Sequence, residues 1–159
     1  DDFAILTEVT MSSSSRQEAM EGEPVRRHVS DAVLRWAPKP VYGLFIAVKI
    51  DTNTAETFRH GIWYTKEDVR QELQIVPLTL AQYQAYFNAM FESGKISPFH
   101  VRELLLYCGK NRAAMDAPAW KRHIEHVVRI RTEALRASYV YEAPPMQAAA
   151  DPFAPYRKE

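Results

Sequence analysis

Glu8-Val9-Thr10 closes an otherwise apolar run, Phe3-Ala4-Ile5-Leu6-Thr7-Glu8-Val9-Thr10. The run is too short for a helix with its own core face, so it reads as a buried strand. Side chains alternate across a strand, which puts Glu8 and Thr10 on one face and Val9 on the other. A carboxylate ending an apolar strand is expensive to bury unless it is paired or holds a cation. Magnesium suits such a position, since it takes hard oxygen ligands and keeps several waters. Two readings stand here: Glu8 as a metal ligand, or Glu8 as an exposed strand end.

Arg16-Gln17 and then Glu21, Glu23-Pro24-Val25-Arg26-Arg27-His28 follow after a serine loop, Ser12 to Ser15. Gln17 and Glu21 are one helical turn apart and point the same way. If the loop folds this helix back onto the strand, Glu21 supplies a second carboxylate, and Arg26, Arg27 and His28 reach phosphate. The competing reading is a solvated helix face with i, i+4 pairing.

Length and composition bound what can surround these residues. The chain has 159 residues, 47% apolar and 25% charged, which is the size and make-up of one globular domain. No apolar run is long enough to span a bilayer, and no basic stretch leads into an apolar core as in a signal peptide. The lone Cys108 fits a reducing, cytoplasmic setting. Net charge is zero, from 20 basic and 20 acidic residues, too few cations for a non-specific nucleic-acid coat. The charge is uneven. Residues 1–30 carry six acids against three arginines, whereas 97–138 carry eight Lys/Arg against four acids. An acidic focus beside a basic surface is what metal-assisted cleavage of a polyanion needs.

The elements follow from pattern. Arg16 to Glu21 read as helical and broken by Gly22 and Pro24, with a second helix starting at Pro24 and burying Val25, Val29, Ala32, Val33 and Trp36. Val41 to Ile50 is nearly unbroken in apolar residues and reads as a central strand covered on both faces. Asn53 to Arg59 form a short helix, Thr65-Lys66-Glu67-Asp68 resembles a helix start, and Leu73 to Val76 form a strand ended by Pro77. Thr79-Leu80-Ala81-Gln82 is a capping box opening a helix with Leu80, Tyr83, Phe87, Met90 and Phe91 inward. A helix from Ser97-Pro98 buries Val101, Leu104, Leu105 and Cys108. Another, from Asp116 to about Ser138, buries Trp120, Ile124, Val127, Val128 and Leu135. The order of strands and helices gives an α/β domain over 1–142, with a Pro/Ala-rich tail, 143–159, expected to be extended or disordered.

Other candidates are weaker. Arg122, Arg129 and Arg136 recur at steps of seven, either a phosphate-tracking stripe or a solvated face partnered by Glu125 and Glu133. His123 and His126 have no third ligand nearby in sequence for zinc. Asp51 reads as a turn residue and Cys108 as core.

Ile5-Leu6-Thr7-Glu8-Val9-Thr10, Arg16-Gln17, Glu21, Glu23-Pro24-Val25 and Arg27-His28 together resemble the AlwI-like type IIS restriction endonucleases, a group with site-specific nicking relatives. Gly43-Leu44-Phe45-Ile46-Ala47 and Ile75-Val76-Pro77-Leu78-Thr79 resemble the same family's nuclease domain in the right order. The resemblance implies a restriction-endonuclease-like PD-(D/E)xK core sheet flanked by helices, cutting double-stranded DNA with Mg2+. It implies Glu8, Thr10 and Glu21 as catalytic residues, and Glu8, Glu21 and the Val9 carbonyl as metal ligands. Gln17, Arg26, Arg27 and His28 are the expected DNA contacts. Thr10 stands where the general motif has lysine and cannot act as a base near neutral pH, so activation of water falls to the ion. The implied products carry 5′-phosphate and 3′-hydroxyl ends.

The family pattern also has an aspartate on a preceding strand. Asp2 lies six residues before Glu8, roughly 20 Å away when extended. The matching aspartate is therefore expected upstream of Asp1, in a longer protein from which this chain is cut, and the chain alone is expected to cleave poorly. Sequence recognition is expected in a separate domain or subunit, with a dimer for double-strand cleavage, in a prokaryotic cytoplasm. The competing reading is a catalytically inactive nuclease-fold module serving as an assembly or DNA-scaffold partner.

Overall fold

The sheet takes its form from the apolar run at 41–47. Strand β2 (Val41–Ala47) is buried along its whole length. It pairs in parallel with β1 (Ala4–Thr10) on one side and β5 (Gln74–Thr79) on the other, giving the order β1-β2-β5. The computed structural model describes residues 2–14 and 16–138, so the expected tail at 143–159 lies outside the described residues.

Parallel strands require crossovers. Between β1 and β2 runs helix α1 (Glu23–Trp36), entered through a π-helical turn, Glu18–Gly22. Between β2 and β5 come α2 (Thr52–His60) and a small antiparallel hairpin, β3 (Ile62–Tyr64) with β4 (Arg70–Glu72). Then follow α3 (Leu80–Glu92), α4 (Pro98–Gly109) and α5 (Ala117–Ala137). Helices α1 and α2 cover one face of the sheet, where Phe45 meets Phe58 edge to face at 5.1 Å. On the other face α3 and α4 contact β2 and β5, and α5 packs along both helices. The Trp120 indole of α5 donates to the Cys108 carbonyl of α4 at 2.8 Å. Burial pushes the Cys108 thiol up to about 12, so it is a core residue and not a nucleophile.

At Gly43, α1 packs so close to the sheet that there is no room for a side chain. A Cβ there would stand 2.9 Å from Val29 Cγ2 and 3.0 Å from Ile75 Cγ1, both branched side chains fixed in the core. Gly43→Ala is expected to cost about 1–3 kcal/mol through overpacking, read as a lower urea midpoint at unchanged m-value. An unchanged midpoint would show that α1 can lift off the sheet.

Several expectations need correction. Gly22 and Pro24 do not split two helices: Gly22 is right-handed helical, and the π turn runs straight into α1. Proline lacks an N–H and its ring crowds the carbonyl four residues back, so one wider turn absorbs it without a break. Thr65 does not start a helix. Its hydroxyl accepts from the Glu67 and Val69 N–H groups and closes the β3–β4 turn, with Asp68 at φ 57°. Strand β5 continues through Pro77, which an edge strand tolerates. Trp36, Leu80, Phe87 and Phe91 are exposed; the buried face of α3 is Tyr86, Ala89 and Met90. Strand β1 is half-buried, with Val9 64% exposed, because it forms the sheet's edge among the described residues. Asp51 is more than a turn residue, since its carboxylate caps α2. The capping box at Thr79 forms as expected.

Candidate metal and phosphodiester site

The site lies at the C-terminal end of β1, under the start of the first crossover helix. Glu8 and Thr10 are register partners of Phe45 and Ala47 and share the sheet face that α1 covers. The helix runs back against the strand direction. Glu21 therefore meets Thr10, and His28, two turns on, meets Glu8.

Two contacts define the arrangement. The Thr10 hydroxyl donates to Glu21 Oε1 at 2.9 Å, while its oxygen accepts from the Ser12 N–H at 3.1 Å. His28 Nδ1 lies 2.8 Å from Glu8 Oε1. An ionised carboxylate only accepts, so the ring nitrogen carries the proton. Each carboxylate thus spends one oxygen on a neighbour. The second oxygen of each has no protein hydrogen-bond partner among the described residues.

The serine loop is held by Gln17, which is fully buried. Its amide nitrogen donates to the carbonyls of Ser12 at 3.0 Å and Lys49 at 2.8 Å, and its oxygen accepts from the Asp51 N–H at 3.0 Å. Glu18 accepts from the Thr57 hydroxyl at 3.1 Å and ties the π turn to α2.

The structure forms two pairs along β1, Glu8 with His28 and Thr10 with Glu21, and sends the other expected DNA contacts elsewhere. Gln17 cannot face DNA, because all its polar capacity goes to backbone groups in the core. Arg26 also points away. Its Nε donates to the Gly22 carbonyl at 3.0 Å and its guanidinium lies 5.6 Å from the Trp63 ring centre. Two residues along a helix turn the side chain by about 200°, so Arg26 and His28 cannot share a face. Arg27 is exposed and paired with Glu23 at 3.3 Å. The sequence reading missed His28 as the partner of Glu8. The seven-residue step from Glu21 to His28 was the signal, since it returns to the same helix face.

The donors fit a hard divalent ion. Two carboxylates each keep a spare oxygen on one face, and magnesium is held in just such sites by one or two carboxylates plus waters. No group of three or more His, Cys, Asp or Glu converges among the described residues, and His123 Nε2 is engaged by the Tyr107 carbonyl at 3.0 Å. That donor set does not suit zinc. Asp2 precedes the far end of β1 and stays outside the site.

A parallel three-stranded sheet flanked by helices, with Glu8 near the end of β1 and Glu21 bonded to Thr10 at that same end, defines an α/β domain with a candidate acidic site. The family model of the AlwI restriction endonuclease matches residues 1–85, and the chain belongs to that family. Its role is therefore nuclease-related. Among solved structures, the chain is similar to the small subunit (R.BspD6I2) of the heterodimeric restriction endonuclease R.BspD6I. The TM-score is 0.63 at 21% identity, over 82% of this chain and 64% of that one. The chain thus spans less than two thirds of that solved subunit. No curated protein matches. Among the described residues, no helix is long and apolar enough to cross a membrane.

Proposed function

We propose that the chain carries the nuclease site of a type IIS restriction or nicking endonuclease, with a PD-(D/E)xK core, hydrolysing DNA phosphodiesters with Mg2+. One observation carries the reading: two carboxylates from separate elements share a face, each fixed through one oxygen and leaving the other for a cation. Glu8, Glu21 and the Val9 carbonyl are the residues that would hold it. When bound, the ion supplies charge neutralisation at the phosphate and a more acidic water.

The protein's own part is positioning. Thr10 locks the Glu21 carboxylate by its hydroxyl proton and takes no proton itself. His28 orients Glu8 through Nδ1–H and leaves Nε2 toward solvent. Arg27 can leave its exposed pair with Glu23, worth under about 1 kcal/mol, to meet phosphate. Water adds to phosphorus as the bond to the 3′ oxygen breaks, giving 5′-phosphate and 3′-hydroxyl ends. Base recognition belongs to another domain or subunit; the solved neighbour is itself a subunit of a heterodimer.

The whole protein, incubated with supercoiled plasmid, is expected to nick or linearise it with Mg2+ and to stop on chelation. Thr10→Ser keeps the Glu21 bond and most of the rate. Thr10→Val removes a bond to a charged group, worth about 1.5–3 kcal/mol, so the rate falls roughly ten- to a hundredfold. Cleavage indifferent to chelator would contradict the reading. No cleavage under any divalent ion would favour the inactive, scaffold-like module instead.

A further inference from the structure

A cleft of about 560 Å³ opens at the C-terminal ends of β2 and β5, the same end of the sheet as Glu8 and Thr10. Lys49, Thr52, Lys121, Arg122 and Glu125 are among its walls. It adjoins the acidic site through one side chain. The Gln17 amide nitrogen donates both to Ser12, in the loop after Thr10, and to Lys49, in the cleft wall, so those carbonyls lie side by side.

The cations of this cleft differ from the rest of the basic surface. Along α5, Arg129 is paired with Glu133 at 3.2 Å and Arg136 with Glu92 at 3.6 Å. Arg122, in the cleft, is exposed and has no carboxylate within 4 Å among the described residues. Lys49 is likewise exposed and unpaired there. Lys121 donates to the Ile50 carbonyl at 2.8 Å and to the Thr52 hydroxyl at 3.3 Å, which fixes it and leaves a third N–H. The opening of α5 at Pro118 also lines the cleft, but its positive end is already met by the Asp116 carboxylate, which accepts from the Ala119 N–H at 2.7 Å, so the cleft's charge rests on its side chains. Glu125 is the opposing charge. Against three cations it leaves a net positive cleft.

We propose that this cleft seats a backbone phosphate of the DNA strand whose scissile bond lies at Glu8 and Glu21, with Lys49 and Arg122 as direct contacts and Lys121 as the fixed charge behind them. The proposal rests on the nuclease reading. It also divides the arginine stripe of α5: Arg122 touches DNA, whereas Arg129 and Arg136 form a solvated, ion-paired face.

The test is equilibrium binding of the whole protein to a fluorescein-labelled duplex of mixed sequence, in chelator, across a potassium chloride series. Each phosphate no longer neutralised removes about 0.9 from the slope of log K against log salt. Lys49→Gln with Arg122→Gln, which together strip the one seated phosphate of its direct contacts, is expected to lower the slope by about 0.9, while Arg129→Gln leaves it unchanged. Glu125→Gln is expected to tighten binding by about threefold, a gain that damage to the fold would not produce. Wild-type slope in the double variant, with Mg2+-dependent cleavage intact, overturns the cleft proposal and leaves the nuclease reading standing. Absence of both duplex binding and cleavage in the wild-type protein overturns both.

Discussion

Glu8→Gln and Glu21→Gln are each expected to abolish Mg2+-dependent DNA cleavage while leaving melting temperature close to wild type. Both carboxylates sit at the rim of the sheet, with Glu8 31% exposed, so neutral isosteres keep packing and remove only charge. A divalent ion at a reacting phosphoryl group supplies several kcal/mol of charge stabilisation; losing about 4 kcal/mol is roughly a thousandfold in rate. A third variant separates positioning from ligation. His28→Gln loses the bond to Glu8 but keeps the carboxylate, so its rate is expected to fall less than that of Glu8→Gln. Single-turnover cleavage of plasmid reads all three. A Glu21→Gln protein that cuts at the wild-type rate would remove the helix carboxylate from the site.

The largest stability effect is expected at Gln17. Its side chain is fully buried and serves three backbone groups, the carbonyls of Ser12 and Lys49 and the N–H of Asp51. Gln17→Met keeps most of the volume and strands all three. At about 1–3 kcal/mol for each buried polar group left unpaired, the variant is expected to lose on the order of 3–5 kcal/mol in urea unfolding. The loss should also reach the chemistry, because the loop after Thr10 and the segment after β2 then lose their common anchor. A Gln17→Met protein with wild-type stability would mean that water replaces the amide and that the clip is dispensable.

Much of the fold was legible because two of its strongest signals are local. The unbroken apolar run of β2 demands burial on both faces, and the Thr79–Gln82 capping box fixes the start of α3 without reference to anything distant. The misreadings share one cause, a local cue whose meaning depends on tertiary context. Thr65 offers its hydroxyl to downstream N–H groups as a helix cap does, yet here it closes a hairpin. Leu80, Phe87 and Phe91 are the more apolar side chains of α3, but Ala89 lets the helix approach its neighbours and so decides which face is buried. Pro24 marks a break in an isolated helix, whereas a π turn accommodates it against the sheet.

The candidate site divides the same way. Glu8 and Thr10 follow from strand alternation, and Glu21 follows once the helix folds back over the strand. Gln17 was misassigned because its one-turn spacing from Glu21 holds for an α-helix. Gln17 lies just before the π turn and Glu21 within it, and Gln17 is drawn inward by the backbone groups of residues 12, 49 and 51. His28 was visible in the sequence only as a neighbour of Arg26 and Arg27, expected with them as a DNA contact. Its bond to Glu8 required knowing that α1 runs antiparallel to β1.

Titration of the whole protein with Mn2+ by calorimetry reaches the central claim most directly, since it asks whether the two carboxylates share one ion. The account predicts one binding event in the wild-type protein and none in either Glu8→Gln or Glu21→Gln. Manganese binding that survives both substitutions with unchanged heat would place the ion elsewhere and contradict it.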